Sequence, residues 1–187
     1  MLYRYLQIVL AVRSMSTIQT DCGNLALFAI ECEVFIPTDP DWIFGHFRFW
    51  LGGIAVGNWS DTTSLIGCIN WLQEFTETPV NRYEPGLLSI PKEEIFHLLC
   101  DNVKWEHGEY QPYADTYGRF HINHLGMSAF DQYDILLVEN QEQQRILWRK
   151  QENSTIYDVR LPANEMQKVA KLFLDWFMKD ITNSLII

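Results

Sequence analysis

The sequence has few cysteines and lacks the cysteine spacing that marks a metal site or a redox motif. Cys22, Cys32, Cys68 and Cys100 are widely separated, and no C-x-x-C pair is present. Three of them, Cys32, Cys68 and Cys100, fall inside apolar patterns, where a thiol behaves as a small hydrophobic residue. We therefore expect reduced thiols, as in a cytosolic protein.

Basic residues are also scarce. The chain has 14 Lys and Arg against 24 Asp and Glu, which gives a formal net charge of −10 and a pI near 4.8. Binding to a phosphate backbone needs clustered Lys or Arg, so this balance argues against nucleic acid as a partner. An acidic surface attracts basic partners instead, although acidity can also serve solubility alone.

A long hydrophobic run is absent. The apolar stretch from Leu6 to Val12 ends at Arg13 and is shorter than the roughly 20 residues that cross a bilayer. It also lacks a convincing cleavage site for a secretory signal, and we favour a translation start at Met15 over secretion. We place residues 1–20 in an N-terminal extension. Residues 21–187 are expected to form a single domain, since a chain of this length fits one core.

Catalytic signatures are missing as well. Ser64 and Ser128 lack the G-x-S-x-G context of a nucleophilic serine, and no glycine pattern matches a phosphate-binding or dinucleotide-binding loop. His121 and His124 are three residues apart in a segment that looks extended, so they point to opposite faces and cannot share a metal without a bulge. We predict no enzyme activity, cofactor or metal. A small metal-dependent hydrolase built around these histidines and Glu106 is the alternative.

The first half of the chain has the alternation of neighbouring strands. Between residues 25 and 36, apolar side chains alternate with Glu31 and Glu33, which predicts a strand with one buried and one solvated face. A second run from Trp42 to Val56 contains Gly52-Gly53, and two glycines between apolar arms predict a tight type I′ turn. One face of this run holds His46, Arg48 and Trp50, opposite Phe47, Phe49 and Leu51.

Helical periodicity occurs at three places. We predict a helix over residues 62–77 with Asp61 and Thr62 as N-cap residues, and a shorter helix over residues 91–102. Near the C-terminus, apolar residues recur at helical spacing behind a capping pair, Asn164 and Gln167. These apolar residues are Met166, Val169, Ala170, Phe173, Leu174 and Phe177.

The remaining pattern defines the fold class. FHINHLGMSAF looks extended, and it is followed by three strand-like runs, DILLVE, RILWRK and TIYDVRL, that predict an antiparallel meander. The whole chain is predicted to be α+β: a single domain with a mainly antiparallel sheet and two or three helices packed on one face. The amphipathic C-terminal helix is one of them, because its apolar stripe needs the sheet to cover it.

The least usual segment is WEHGEYQPYADTY. It holds four aromatic rings, three carboxylates and no Lys or Arg, and it follows neither a helical nor a strand repeat. Tyr and Trp are enriched where another protein buries a surface, because they give a large rigid area with a polar tip. The alternative is a self-packed loop with Trp105 and Tyr117 in the core. The predicted partner-binding residues are Trp105, Glu106, Glu109, Tyr110, Tyr113, Asp115 and Tyr117.

Three stretches of the chain together indicate a family. They are LALFAIECEV; FGHFRFWLGG with NWSDTTSL and INWLQEF; and DILLVENQEQQRILWR with IYDVRLP and the C-terminal helix. In these stretches, from about Leu25 to Phe177, the chain resembles the family-42 immunity proteins of bacterial polymorphic toxin systems. The shared features are aromatic and turn patterns with no catalytic motif.

The resemblance implies an antitoxin, encoded beside a secreted toxin, that binds this toxin in the bacterial cytoplasm and protects its producer. The implied partner is a cognate toxin domain, and the acidity of this chain suits a basic one. The family supplies no catalytic or cofactor residue to transfer. From the residues alone, a regulatory subunit for another basic protein is a further alternative; neither a membrane contact nor an oligomeric state is indicated.

Overall fold

The structure is a computed structural model that describes residues 17–35, 42–78, 82–84, 86–101, 117–123, 125 and 127–181. In these ranges the chain is α+β with two antiparallel sheets, which confirms the predicted class. The strands are β1 (Thr17–Asn24), β2 (Phe28–Phe35), β3 (Phe44–Leu51), β4 (Ile54–Val56), β5 (Thr63–Ser64), β6 (Tyr133–Glu139), β7 (Gln143–Lys150) and β8 (Tyr157–Pro162). The α-helices are α1 (Leu65–Glu77), α2 (Lys92–Phe96), α3 (Tyr117–Phe120) and α4 (Glu165–Trp176).

Sheet A contains the first five strands. β1, β2 and β3 pair antiparallel in that order, while β4 pairs with the end of β3 and β5 with its start. The register sets Ile30 beside Phe49 and Cys32 beside Phe47, and all four side chains are buried on one face. The alternation predicted for both strands is confirmed. β1 begins at Thr17, so the last four residues of the expected extension are paired with β2.

The connection between β3 and β4 is the tight turn that its two glycines predict. Gly52 and Gly53 have φ angles of 57° and 83°, and a type I′ turn requires positive φ at both central positions. The Gly52 N–H donates to the Leu27 carbonyl at 2.8 Å, and the Gly53 N–H donates to the Leu25 carbonyl at 2.9 Å. The turn is therefore also fixed to the β1–β2 connection.

Sheet B is the predicted meander of β6, β7 and β8. It has a hydrophobic core on each face. Ile135 and Ile146 face the first core, which sheet A, α1 and α4 complete. Leu136 and Leu147 face the second core, which α2 covers. Cys32 and Cys68 are buried in the first core and Cys100 in the second.

α1 begins later than predicted, and the expectation that Asp61 and Thr62 cap it is wrong. The two residues before the helix pair with β3 as strand β5, and the Leu65 N–H donates to the Ile43 carbonyl at 2.9 Å. Pairing with the sheet therefore keeps this segment extended up to Ser64. The Asp61 carboxylate accepts a hydrogen bond from the Asn58 side chain at 2.7 Å instead. The predicted apolar stripe is buried, with Leu65, Cys68, Ile69, Leu72 and Phe75.

Between α1 and β6, one predicted helix is confirmed and a segment predicted to be extended is partly helical. α2 lies where the second helix was expected and continues as a π-type turn from His97 to Asp101. The prediction that FHINHLGMSAF is extended is wrong for much of its described part. Phe120 ends helix α3 and is buried in the second core, whereas Ser128–Phe130 form a 3-10 turn that buries Phe130 in the first core.

α4 confirms the amphipathic C-terminal helix, but the predicted capping pair is wrong. Asn164 has a left-handed φ of 59° and makes no side-chain cap hydrogen bond. Gln144 of β7 takes that role: its Oε1 accepts from the Met166 N–H at 3.0 Å, and its Nε2 donates to Gln167 Oε1 at 2.8 Å. None of the helices in the described ranges has the length and apolar character that crossing a bilayer requires.

Candidate partner-binding surface

The predicted partner-binding segment lies mostly outside the described residues. Its described flanks are Asp101, which ends the turn after α2, and Tyr117, which begins α3. α3 contacts both this turn and β6, so both described flanks lie on the α2 side of sheet B. Tyr117 is described for its backbone alone. The other six predicted partner-binding residues lie outside the described ranges: Trp105, Glu106, Glu109, Tyr110, Tyr113 and Asp115.

A second candidate surface is fully described and lies on the outer face of sheet A. α1 and α4 pack on the inner face, so the side chains that alternate with the first core in β2 and β3 point away from these helices. We call this surface the aromatic face. It consists of Trp42 just before β3, of Phe44, His46, Arg48 and Trp50 in β3, and of Asp21, Glu31, Glu33, Phe35 and Trp59 beside them.

Glu31 fixes the centre of the aromatic face. Its Oε2 accepts hydrogen bonds from Arg48 Nε and Trp50 Nε1, both at 2.6 Å, and its Oε1 accepts one from Gln19 Nε2 at 3.3 Å. The residue is 7% exposed. Burial raises the pKa of the Glu31 carboxyl, but the hydrogen bonds and the charge of Arg48 outweigh burial and hold the pKa below its ordinary value. The carboxylate is therefore charged at neutral pH and orients both neighbours.

Arg48 lies between two indole rings. Its guanidinium carbon is 5.0 Å from the ring centroid of Trp50 and 4.5 Å from that of Trp59. Both distances fall in the range of cation–π attraction.

His46 extends the cluster. Its Nδ1 lies 3.1 Å from the Asp61 carbonyl oxygen, and its ring is edge-on to the ring of Phe35. Side chains fixed in this way lose little rotamer freedom when a partner covers them.

Trp42 and Phe44 form the exposed end of the aromatic face. Trp42 is 59% exposed and Phe44 is 38% exposed. Their rings are stacked, with centroids 6.2 Å apart and planes 11° from parallel. Large aromatic side chains are usually covered in a folded protein, and a Trp at the centre of a protein interface often dominates the binding energy. This pair offers a partner rigid apolar area.

The charges of the aromatic face are mainly negative. Asp21, Glu31 and Glu33 lie on adjacent positions of β1 and β2, against the single guanidinium of Arg48. Asp21 is exposed, so its charge is open to a partner. Glu31 and Arg48 are already bonded to each other and are not arranged as an acid and a base around a substrate. The arrangement suits recognition of a basic surface.

The structure describes only one of the two histidines of the alternative metal site. His121 is buried, and its backbone pairs with Leu136 of β6. His124 and Glu106 lie outside the described ranges. Across the part of the chain that the structure describes, no group of three His, Cys, Asp or Glu side chains is placed to hold a metal ion. No described feature therefore favours the alternative of a metal-dependent hydrolase.

Sequence reasoning found part of the aromatic face. The predicted shared face of His46, Arg48 and Trp50 is confirmed. Trp42 was missed, although the same period of two includes it when it is continued to the residues before β3. Trp59 was missed because it comes from the connection after β4, where no periodic signal places a side chain.

Comparisons with known proteins agree with this architecture. The fold is similar to the crystal structure of CdiI from Burkholderia dolosa AUO158, with a TM-score of 0.63 and 22% sequence identity over 83% of this chain and 99% of that chain. A comparison with curated proteins found no match. The family described as immunity protein 42 matches residues 15–176. That match covers nearly all of the aromatic residues and turns on which the resemblance was based, and this chain therefore belongs to the immunity protein 42 family.

Proposed function

We propose that this protein is an antitoxin that binds a cognate secreted toxin and neutralises it by covering the surface on which the toxin's activity depends. The observation that supports this most directly is the family match over residues 15–176. The protein acts in the bacterial cytoplasm by stoichiometric binding, with no catalysis and no cofactor. The fold that it shares with CdiI is consistent with this role.

The charge of the chain supports a basic toxin domain as the partner. A net charge of −10 attracts a positively charged protein over distances longer than direct contact. Such steering raises association rates by about one to three orders of magnitude. Speed matters for this function, because a toxin that has entered the cytoplasm acts until it is bound.

The test uses the toxin domain encoded beside this gene. Bacteria that produce the toxin domain regain growth when they also produce this protein, and the purified proteins form a complex. Titrating the toxin's activity with this protein gives a straight decline to a fixed molar ratio. Unprotected cells overturn the proposal, and complete inactivation by a trace amount overturns stoichiometric binding.

The predicted partner-binding segment, residues 105–117, which we call the ring-rich segment, gives a first prediction about the interface. We expect Tyr110→Ala combined with Tyr113→Ala to weaken toxin binding by about 10-fold or more, because tyrosines at interfaces often supply a large share of the binding energy. The melting temperature stays nearly unchanged. Binding is measured by isothermal titration calorimetry and stability by thermal unfolding.

Tyr157→Ala is the matched control for these tyrosines. Tyr157 is a partly exposed tyrosine of β8, in sheet B, and its replacement leaves the dissociation constant unchanged. If the double variant loses its fold while the surviving protein binds normally, the rings of residues 110 and 113 belong to the core.

A further inference from the structure

We propose that the aromatic face of sheet A is a docking surface for a positively charged surface of the toxin domain, with Trp42 as its anchor. This inference rests on the proposed function, because the partner is the toxin named there. It adds a contact surface on sheet A to the ring-rich segment, whose described flanks lie on the α2 side of sheet B.

The aromatic face is ordered before any partner is bound. Ordinary solvated strand residues form few contacts across a sheet, whereas Glu31, Arg48 and Trp50 form one bonded cluster with distances of 2.6 Å. Trp59 closes over Arg48 from the connection after β4. A prebuilt surface of this kind loses little conformational entropy on association.

The stacked rings of Trp42 and Phe44 are exposed at one end of the face. Trp42 and Phe44 extend the ordered cluster along β3 with two rings that the described helices leave open. An indole ring held by stacking offers a fixed face for apolar groups or for a cation. Trp42 is therefore the side chain that a partner gains most from covering.

The charge of the aromatic face is complementary to that of a basic partner surface. Asp21 and Glu33 flank the aromatic cluster on β1 and β2, and the carboxylate of Glu31 neutralises the guanidinium of Arg48. The net field of the face is negative, in the same sense as the whole chain. A partner surface with Lys or Arg side chains fits it, because such side chains pair with the carboxylates and also stack on exposed indole rings.

The experiment compares two single variants of the full chain in binding to the purified toxin domain. Trp42→Ala raises the dissociation constant by about 10-fold or more, mainly through faster dissociation. Asp21→Lys lowers the association rate at low salt by about 3-fold or more and changes the dissociation rate less. Surface plasmon resonance measures both rates.

Each variant has a matched control on another part of the molecule. Leu172→Ala removes a hydrophobic side chain that is 57% exposed on α4, and it leaves the dissociation constant unchanged. Glu152→Lys makes the same change in net charge as Asp21→Lys, in the exposed turn after β7. It slows association less than Asp21→Lys does, so the comparison separates the local charge from the net charge.

The outcomes separate this inference from the proposed function. If the wild-type protein binds and protects while Trp42→Ala and Asp21→Lys behave as their controls do, the docking surface is overturned and the antitoxin role stands. A wild-type protein that neither binds nor protects overturns both. If Trp42→Ala lowers the melting temperature without changing toxin affinity, another segment of this chain covers the face. If the wild-type protein is a dimer and Trp42→Ala is a monomer, the face binds a second copy of this chain. Either of these last two results also overturns the inference.

Discussion

Glu31 shows how a single residue departs from its sequence pattern. Alternation in β2 predicts a carboxylate on a solvated face, and the side chain does lie on that face. It is nevertheless almost fully covered, because Arg48, Trp50 and Gln19 converge on it from the two neighbouring strands. The period of a strand gives the face of a residue, whereas its burial depends on the length of the side chains that surround it in space.

Glu31→Gln is expected to lower the free energy of unfolding at pH 7 by about 1–3 kcal/mol, because the ion pair and charge-assisted hydrogen bond with Arg48 are lost in a nearly buried site. The folded state lowers the pKa of Glu31. Its contribution is therefore complete above the pKa of the unfolded carboxyl, about 4.3, and is lost as pH falls through the lower folded value.

The stability difference between wild type and Glu31→Gln should consequently shrink as pH is lowered from 7 to 3. Urea unfolding at several pH values measures it. A difference that stays constant over this range would show that Glu31 stabilises the fold through packing and not through its charge. Glu33→Gln is the comparison, since the residue lies on the same strand and is more exposed.

At the scale of elements, α4 is the part that sequence predicts best. Its apolar stripe is periodic over three turns, and burying that stripe on β1 and β2 requires no knowledge of distant residues. Asn164 is its N-cap residue as predicted, but the capping interaction was mispredicted because Gln144, 22 residues away, supplies the hydrogen bond to Met166. The start of α1 was missed for the same reason, since β3 holds the preceding residues. Local patterns define periods, and contacts between distant elements decide the ends.

Phe173 and Leu172 test the orientation of α4. Phe173 is fully buried, and its ring centroid lies 5.6 Å from that of Phe47, whereas Leu172 is largely exposed. Phe173→Ala is expected to lower the free energy of unfolding by about 3–5 kcal/mol. Leu172→Ala should change it by less than about 0.5 kcal/mol. Urea unfolding measures both, and equal losses would contradict the burial of this helix face.

For the whole molecule, the sequence predicted the α+β class and the antiparallel meander, but it did not separate the strands into two sheets. β1 was missed because TIQTDCGN is polar and lacks the alternation of β2, as is common for a strand at a sheet edge. The aromatic face was only partly predicted, since Trp59 reaches it from the connection after β4 and the burial of Glu31 depends on side chains of the neighbouring strands. The family resemblance supplied the function, which the residue patterns alone left open between a binding protein and an enzyme.

The net charge predicts how toxin binding depends on salt. Raising the ionic strength from about 0.05 M to 0.5 M shortens the Debye length from roughly 14 Å to 4 Å, which screens long-range attraction between separated proteins. The association rate should fall by about 10-fold or more while the dissociation rate changes little. Stopped-flow mixing measures the association rate. An association rate that does not depend on salt would remove electrostatic steering from the proposed function.

The reactivity of the cysteines in the two cores reports when each core unfolds. Burial raises the pKa values of the Cys32 and Cys68 thiols well above the ordinary value, so alkylating reagents find little thiolate there while the protein is folded. Cys100 is likewise enclosed, but on the far side of sheet B. Pulsed alkylation followed by peptide mass analysis therefore shows whether the two cores unfold together or one after the other. No engineered label is needed.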